Sequence, residues 1–293
     1  MNTEQLERMA SARGFVAALD QSGGSTPQAL RAYGVDHWSG EAQMYDLVHT
    51  MRARIIASPA FSGTRVLGAI IFEQTMSRQV EGVPTTAYLW DKKGIVPFLK
   101  IDKGLAEPAD GVQVMRPIPD LEAVLHRART NGVFGTKMRS VVAAPDPAGV
   151  GAVVAQQISV ARQVLAAGLV PIVQPEVDIH AAGKAAAEDL LRSALLGELD
   201  LLPPEHRVVL LMTLPERDGD LTPFVEHPRV LRVMAVSGGY PRAEATERLA
   251  RQPGVIACFS RALTEGLRLQ QDDAELDAVL EESIAAIAAA SAT

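Results

Sequence analysis

Asp20 follows five apolar residues, Phe15–Leu19, without a break. A carboxylate at the end of a buried run has to be paired or put to use, because an isolated buried charge is costly. Lysines and arginines recur in the same setting. Lys100, Asp102 and Lys103 stand at the end of the run that begins at Ile95, and Lys137 and Arg139 follow the run that begins at Phe134. Period-two alternation along a strand aims at least two of these cations to one side. Two outcomes are open for them. Either Lys100 or Lys137 neutralises Asp20 or Glu176, since buried lysines rarely stay unpaired, or the same residues clamp an anionic substrate.

Two further places invite an anion. Asp20-Gln21-Ser22-Gly23-Gly24-Ser25, with Thr26-Pro27 opening a helix, places hydroxyls and backbone donors where phosphate could sit, although Ser25 or Thr26 as an ordinary N-cap accounts for it equally well. Ser237-Gly238-Gly239-Tyr240 ends one apolar run and Ser260-Arg261 ends the next, so glycine backbone and an arginine fall on neighbouring elements. Gln174, Glu176, Asp178 and His180 alternate and could in principle share a face as metal ligands, but four such positions more often run out of a strand into solvent. The six histidines are scattered and fit no zinc spacing, and neither a metal nor an organic cofactor is expected.

These residues need elements to hold them. Eight short apolar, β-branched runs recur: Phe15–Leu19, Val66–Phe72, Ile95–Ile101, Phe134–Met138, Leu169–Val173, Val208–Leu214, Val230–Val236 and Val255–Phe259. Between them lie amphipathic stretches such as Ala152–Ala167, with Gly168 placed as a C-terminal glycine. Strands apolar on both faces, alternating with helices, form a parallel sheet covered by helices, and eight such units predict a closed α/β (β/α)8 TIM barrel in a single domain, residues 1–293, with helical extensions at both termini. An open doubly wound sheet is the alternative. Lys100, Lys137, Gln174 and Leu211 follow one another at intervals of 37 residues, each near a strand end. Barrel sites are built at the C-terminal strand ends, which selects the polar residues above for attention. Pro145–Pro147 and Pro203–Pro204 read as loops.

With 293 residues and 47% hydrophobic content the chain can bury one large core. A net charge of −7 without any basic block argues against nucleic acid as a partner, and no apolar stretch is long enough to span a bilayer. One cysteine, Cys258, rules out a disulfide framework, and MNTEQLERMA has no targeting character, so a cytoplasmic protein is expected. The residues identify no subunit interface; a homo-oligomer is compatible with the acidic surface.

Seven segments closely resemble the bacterial class I fructose-bisphosphate aldolases: FVAALDQSGGSTPQAL (15–30), IVPFLKIDKGLAE (95–107), ADGVQVMRPIPDL (109–121), VFGTKMRS (133–140), VEHPRVLRV (225–233), VSGGY (236–240) and FSRAL (259–263). The resemblance implies a β/α barrel that cleaves a ketose bisphosphate through a Schiff base on a strand-six lysine. It implies that Asp20 assists proton transfer at the scissile bond and that Lys137 orients or polarises the substrate. Lys100 and Arg139 would contact the distal phosphate, while Ser237, Gly238, Gly239 and Arg261 would hold the other, with Ser22 also binding substrate. Glu176 matches the second glutamate of the strand-five Glu-Pro-Glu motif. Two positions depart from the pattern. The strand-six motif Leu-Lys-Leu-Thr-Ile-Pro reads Leu210-Leu211-Met212-Thr213-Leu214-Pro215 here, so Leu211 stands for the lysine, and Gln174 stands for the first glutamate. A leucine cannot form an imine, and an amide does not exchange protons near neutral pH.

Three readings follow. The first is an enzyme of altered chemistry on a phosphorylated keto-sugar or dihydroxyacetone phosphate, with Asp20, Lys137 and Glu176 as its catalytic groups. Lys137 would either form the Schiff base, as strand four does in the related transaldolases and helped by a pKa depressed by burial beside Arg139, or stabilise an enediolate without a covalent bond. The second is a non-catalytic sugar-phosphate binding protein. The third is a metal-dependent site on Glu176, Asp178 and His180.

Overall fold

Each of the eight β-branched runs forms a strand in the computed structural model, which describes residues 2–293. They are β1 (Phe15–Ala18), β2 (Val66–Ile71), β3 (Val96–Lys100), β4 (Gly135–Val142), β5 (Val170–Val177), β6 (Val208–Thr213), β7 (Val230–Val236) and β8 (Val255–Phe259). All neighbours are parallel. β1 pairs with β8 through Val16↔Cys258, and β3 pairs with β4 through Lys100↔Lys137, so the sheet closes on itself and the open alternative is excluded.

Alternation divides the apolar residues into two cores. Val16, Val96, Ile172, Val209, Leu211, Met234 and Cys258 point into the barrel, whereas Phe15, Ala17, Leu19, Leu99, Val173 and Leu210 point outward against the helices. The same parity carries the interior rows up to charge. Val16 and Ala18 lead to Asp20, Phe98 to Lys100, and Ile172 to Gln174 and Glu176.

Two boundaries differ from the pattern read from hydrophobicity. β4 and β5 continue four residues past Met138 and Val173, in register to Val142↔Val177, and a two-residue strand, Val112–Gln113, pairs antiparallel with the end of β4. Polar side chains at the site interrupt the apolar run there, but the ladder still satisfies the backbone. The helix anticipated from Ala152 begins at Pro147 and ends at Ala166, with Gly168 just beyond it at φ +75°. Pro147 is therefore its first residue rather than loop, because a proline sacrifices nothing where the N–H has no helical partner, and Asp146 accepts from Gly149 N at 2.8 Å as N-cap.

Helices at the two ends complete the shell. Thr3–Ser11 lies across the N-terminal end of the barrel. Its Met9 is fully buried in the interior core, and Arg232 of β7 donates to Met9 O at 2.8 Å and Ala12 O at 3.1 Å. Asp273–Ala290 starts with a capping box between Asp272 and Glu275 and buries Leu276, Leu280, Ile284 and Ile287.

Candidate active site

At the C-terminal mouth, Lys137 Nζ donates to Asp20 Oδ2 at 2.9 Å, and both residues are less than a tenth exposed. Burial disfavours the Asp20 carboxylate, but Lys137, then Lys100 and Arg52, outweigh it and hold Asp20 below the usual carboxylate range. For Lys137, burial works against the ammonium. The carboxylates of Asp20 and Asp102 outweigh burial and the smaller repulsion from Arg139, so its pKa is raised. The expectation of a depressed amine is corrected accordingly: the nearest groups are carboxylates, and Lys137 rests as an ammonium.

Two more ion pairs flank this one. Lys100 Nζ lies 2.7 Å from Asp102 Oδ1 and donates to Asp102 O at 3.1 Å, while Asp102 Oδ2 is buried without a partner. Arg139 Nε donates to Glu176 Oε2 at 2.7 Å, and Gln174 Nε2 donates to the same oxygen at 3.1 Å. A glutamate at 174 would face Glu176 as a like charge, whereas the amide binds it. Of the pairings anticipated, Lys137 with Asp20 is present; Lys100 pairs instead with Asp102, and Glu176 is taken by Arg139, so that three paired cations converge on one mouth.

Ser22 and Lys100 line a cleft of about 490 Å³ with Lys103, Gly104 and Arg116, between the loops that follow β1, β2 and β3. The glycine turn before it is occupied by its own chain. Ser25 Oγ accepts from Ser22 N at 3.1 Å and donates to Ser22 O at 3.0 Å, the helix Ser25–Ala32 has Gly24 as N-cap with no side-chain cap, and Thr26 is buried under the turn. The N-cap role expected of Ser25 or Thr26 is thus not the one they play.

Across the barrel, Ser237 is buried, and Gly238 and Gly239 adopt φ +63° and +130°. A Cβ at 239 would sit 3.4 Å from Arg261 Nη2 and 3.2 Å from Ile179 Cδ1; one at 238 would sit 2.6 Å from Ile179 Cγ2. The glycines let Ile179 and the guanidinium close over the turn, so the structure brings Gly239 and Arg261 together. In barrel order β7 and β8 stand opposite β3 and β4, which leaves the Asp20–Lys137 pair between the two cationic ends.

The metal alternative fails on geometry. β5 ends at Val177, Asp178 Oδ1 accepts from His180 N at 2.9 Å in the loop, Glu176 is held by Arg139, and no group of three candidate ligands gathers among the described residues. Leu211 is 1% exposed within the interior apolar core, paired across the ladder with Met234.

Sequence reading missed Arg52. It is fully buried; its guanidinium donates to Gln21 O at 2.5 Å, Gln21 Oε1 at 3.1 Å and Thr75 Oγ1 at 3.0 Å, and it lies 4.6 Å from the Phe72 ring centroid. Burial pushes it down to about 9, against the attraction of Asp20. Gln21 in turn donates to Ser260 Oγ, tying the exit of β1 to that of β8. The available signal was an arginine on the apolar stripe Val48, Met51, Ile55 of the helix Gly40–Ala57.

A family model described as fructose-bisphosphate aldolase class-I matches residues 3–194. The chain belongs to the class-I fructose-bisphosphate aldolases. Among curated relatives, a protein of Synechocystis sp. named fructose-bisphosphate aldolase class 1 is 57% identical, covering 100% of this chain and 98% of the relative. A Porphyromonas gingivalis protein of the same name is 52% identical over 97% of both. Among solved structures, a fructose-bisphosphate aldolase from Plasmodium falciparum, crystallised with TRAP and a small-molecule inhibitor, superposes with a TM-score of 0.74 at 20% identity, over 98% of this chain and 92% of that one, a likeness of fold. Membership makes the chain a carbon–carbon lyase by family. Among the described residues no helix is long and apolar enough to cross a membrane.

Proposed function

We propose that this aldolase-family chain binds a phosphorylated ketose, or dihydroxyacetone phosphate, between the two cationic ends of the mouth and cleaves or forms the carbon–carbon bond without an imine. Lys100, Arg139 and Ser22 take one phosphate. Ser237, Gly238, Gly239 and Arg261 take the other. The observation that carries the reading is the Lys137–Asp20 pair, 2.9 Å apart and closed to solvent, at a mouth whose strand-six position is Leu211. An ammonium is no nucleophile but is a strong hydrogen-bond donor.

In the cleavage direction Lys137 turns from Asp20 to the ketose carbonyl oxygen, which frees the carboxylate. Asp20 accepts the proton of the C4 hydroxyl, the C3–C4 bond breaks, and its electron pair passes through C3 to the C2 oxygen, giving an enediolate beside Lys137 and Arg139. The aldehyde leaves, and the proton that Asp20 took from the C4 hydroxyl is returned to C3 of the enediolate, with Glu176, opposite Arg139, as the relay, so that both carboxylates end as they began. Replacing one such electrostatic donor costs about a hundredfold or more in rate, the loss expected for Lys137→Met. The test is borohydride reduction with dihydroxyacetone phosphate and fructose 1,6-bisphosphate, followed by peptide mass spectrometry beside a turnover assay. Turnover with no reduced adduct is expected; an adduct on Lys137 would replace this reading with imine chemistry moved to strand four.

A second reading, a sugar-phosphate binding protein without turnover, is favoured by the neutralisation of Lys100, Lys137 and Arg139 by carboxylates and by the apolar packing of Leu211. It predicts that both ligands raise Tm while no product forms.

A further inference from the structure

The N-terminal end of the barrel, remote from the mouth, carries a cleft of about 610 Å³ that the reading above leaves unused. Arg8 and Arg13 come to it from the first helix and the turn into β1, Ser62, Gly63 and Thr64 from the turn into β2, and Lys93 from the turn into β3. None of its lining residues is acidic, although the chain carries a net charge of −7. Several arginines elsewhere on this molecule pair with carboxylates, as Arg65 does with Glu281 and Arg127 with Glu73. Here they do not.

The local chemistry favours an anion. Arg8 Nη2 is taken by Gly63 O, while Arg8 Nε is buried without a partner. Burial alone lowers the Arg8 pKa, with no carboxylate acting against it. Lys93 Nζ donates to Ala57 O at 2.9 Å and Ser58 O at 2.8 Å, which leaves one of its three N–H groups. The hydroxyls of Ser62 and Thr64 lie 2.7 Å apart at the rim. Gly63 makes the approach possible, because a Cβ there would meet Lys93 O at 2.5 Å and Arg8 Nη2 at 3.0 Å. A guanidinium with an unused buried donor, a second guanidinium and an ammonium around one cavity match the oxygens of a phosphate group.

We propose that this cleft is a second anion site, taking a phosphate-bearing small molecule at the face of the barrel opposite the mouth. Bound there, the ligand would bridge the first helix to the turns before β2 and β3, and so hold Met9 in the barrel.

Isothermal titration with inorganic pyrophosphate tests it on the full-length chain carrying Arg139→Gln and Arg261→Ser, which weaken the mouth. One equivalent is expected to bind still, and adding Arg13→Glu, on an exposed side chain, to weaken that binding by about tenfold or more. Arg8→Met serves as the second variant, with its circular dichroism and Tm checked against the parent. No binding to the mouth-weakened chain, or binding that Arg13→Glu and Arg8→Met leave within about tenfold of the parent, overturns the proposal.

Discussion

The Asp20–Lys137 pair makes a specific statement about pH. Asp20 is lowered in the folded chain, so its contribution is complete above the unfolded value of about 3.9 and is lost as pH falls through the lower folded value. Lys137 is raised, so its contribution is complete below about 10.4 and is lost as pH rises through the higher folded value. The stability gap between the wild type and Asp20→Asn/Lys137→Met should therefore be flat between those limits and shrink outside them, as followed by denaturant midpoints across pH. Lys137→Met alone strands a buried carboxylate and should cost about 3–5 kcal/mol at neutral pH, more than the double variant. Leu211→Lys places an amine in the interior core beside Met234; burial should depress its pKa, and the protein should lose about 2–4 kcal/mol yet become trappable by borohydride at that position with dihydroxyacetone phosphate. Absence of an adduct in the folded variant would show that the amine cannot reach a bound carbonyl. At this scale Asp20, Lys100, Lys137 and Arg139 were legible because charge at the end of an apolar run is rare. Their partners were legible only in part: Lys137 with Asp20 was among the pairings anticipated, but Lys100 with Asp102 and Arg139 with Glu176 were not, since which carboxylate meets which cation depends on strand tilt and register. Arg52 was hidden for a further reason: a helical stripe of Val48, Met51 and Ile55 reads as core whether or not one member is charged.

Elements were more legible than pairings. All eight strands stood in the hydrophobic pattern because barrel strands are apolar on both faces and amphipathic helices separate them. The extra lengths of β4 and β5 were not, because Lys137, Arg139, Gln174 and Glu176 break the apolar run while the hydrogen-bond ladder runs on. The start of the helix at Pro147 depends on an equally hidden contact. Gly149 sits so close to the turn Ala109–Val112 that a Cβ would fall 2.1 Å from Asp110 O. Gly149→Ala must push the helix from that turn and should cost about 2–4 kcal/mol in urea unfolding; a change below about 0.5 kcal/mol would mean that the approach yields freely.

For the whole molecule, closure is what the periodicity of the sequence implied and what the pairing of β1 with β8 delivers. The floor was not legible, because nothing in the stretch Thr3–Ser11 announces that one methionine enters the barrel. Met9→Ala should cost about 2–5 kcal/mol, measured by urea midpoint, with little effect on ligand binding at the mouth. The join between β1 and β8 also orders events in time. Val16 and Cys258 are neighbours in space but more than two hundred positions apart in the chain, and Gln21 finds Ser260 across the same seam. A ribosome that has released the first half of the protein has already presented Asp20, Lys100, Lys137 and Arg139, yet β1 keeps a bare strand edge until Val255–Phe259 emerges. The Asp20–Lys137 pair and Arg261 thus belong to different ends of synthesis, and the unfinished chain spends most of its translation with an open edge that a chaperone, or another nascent copy, could occupy.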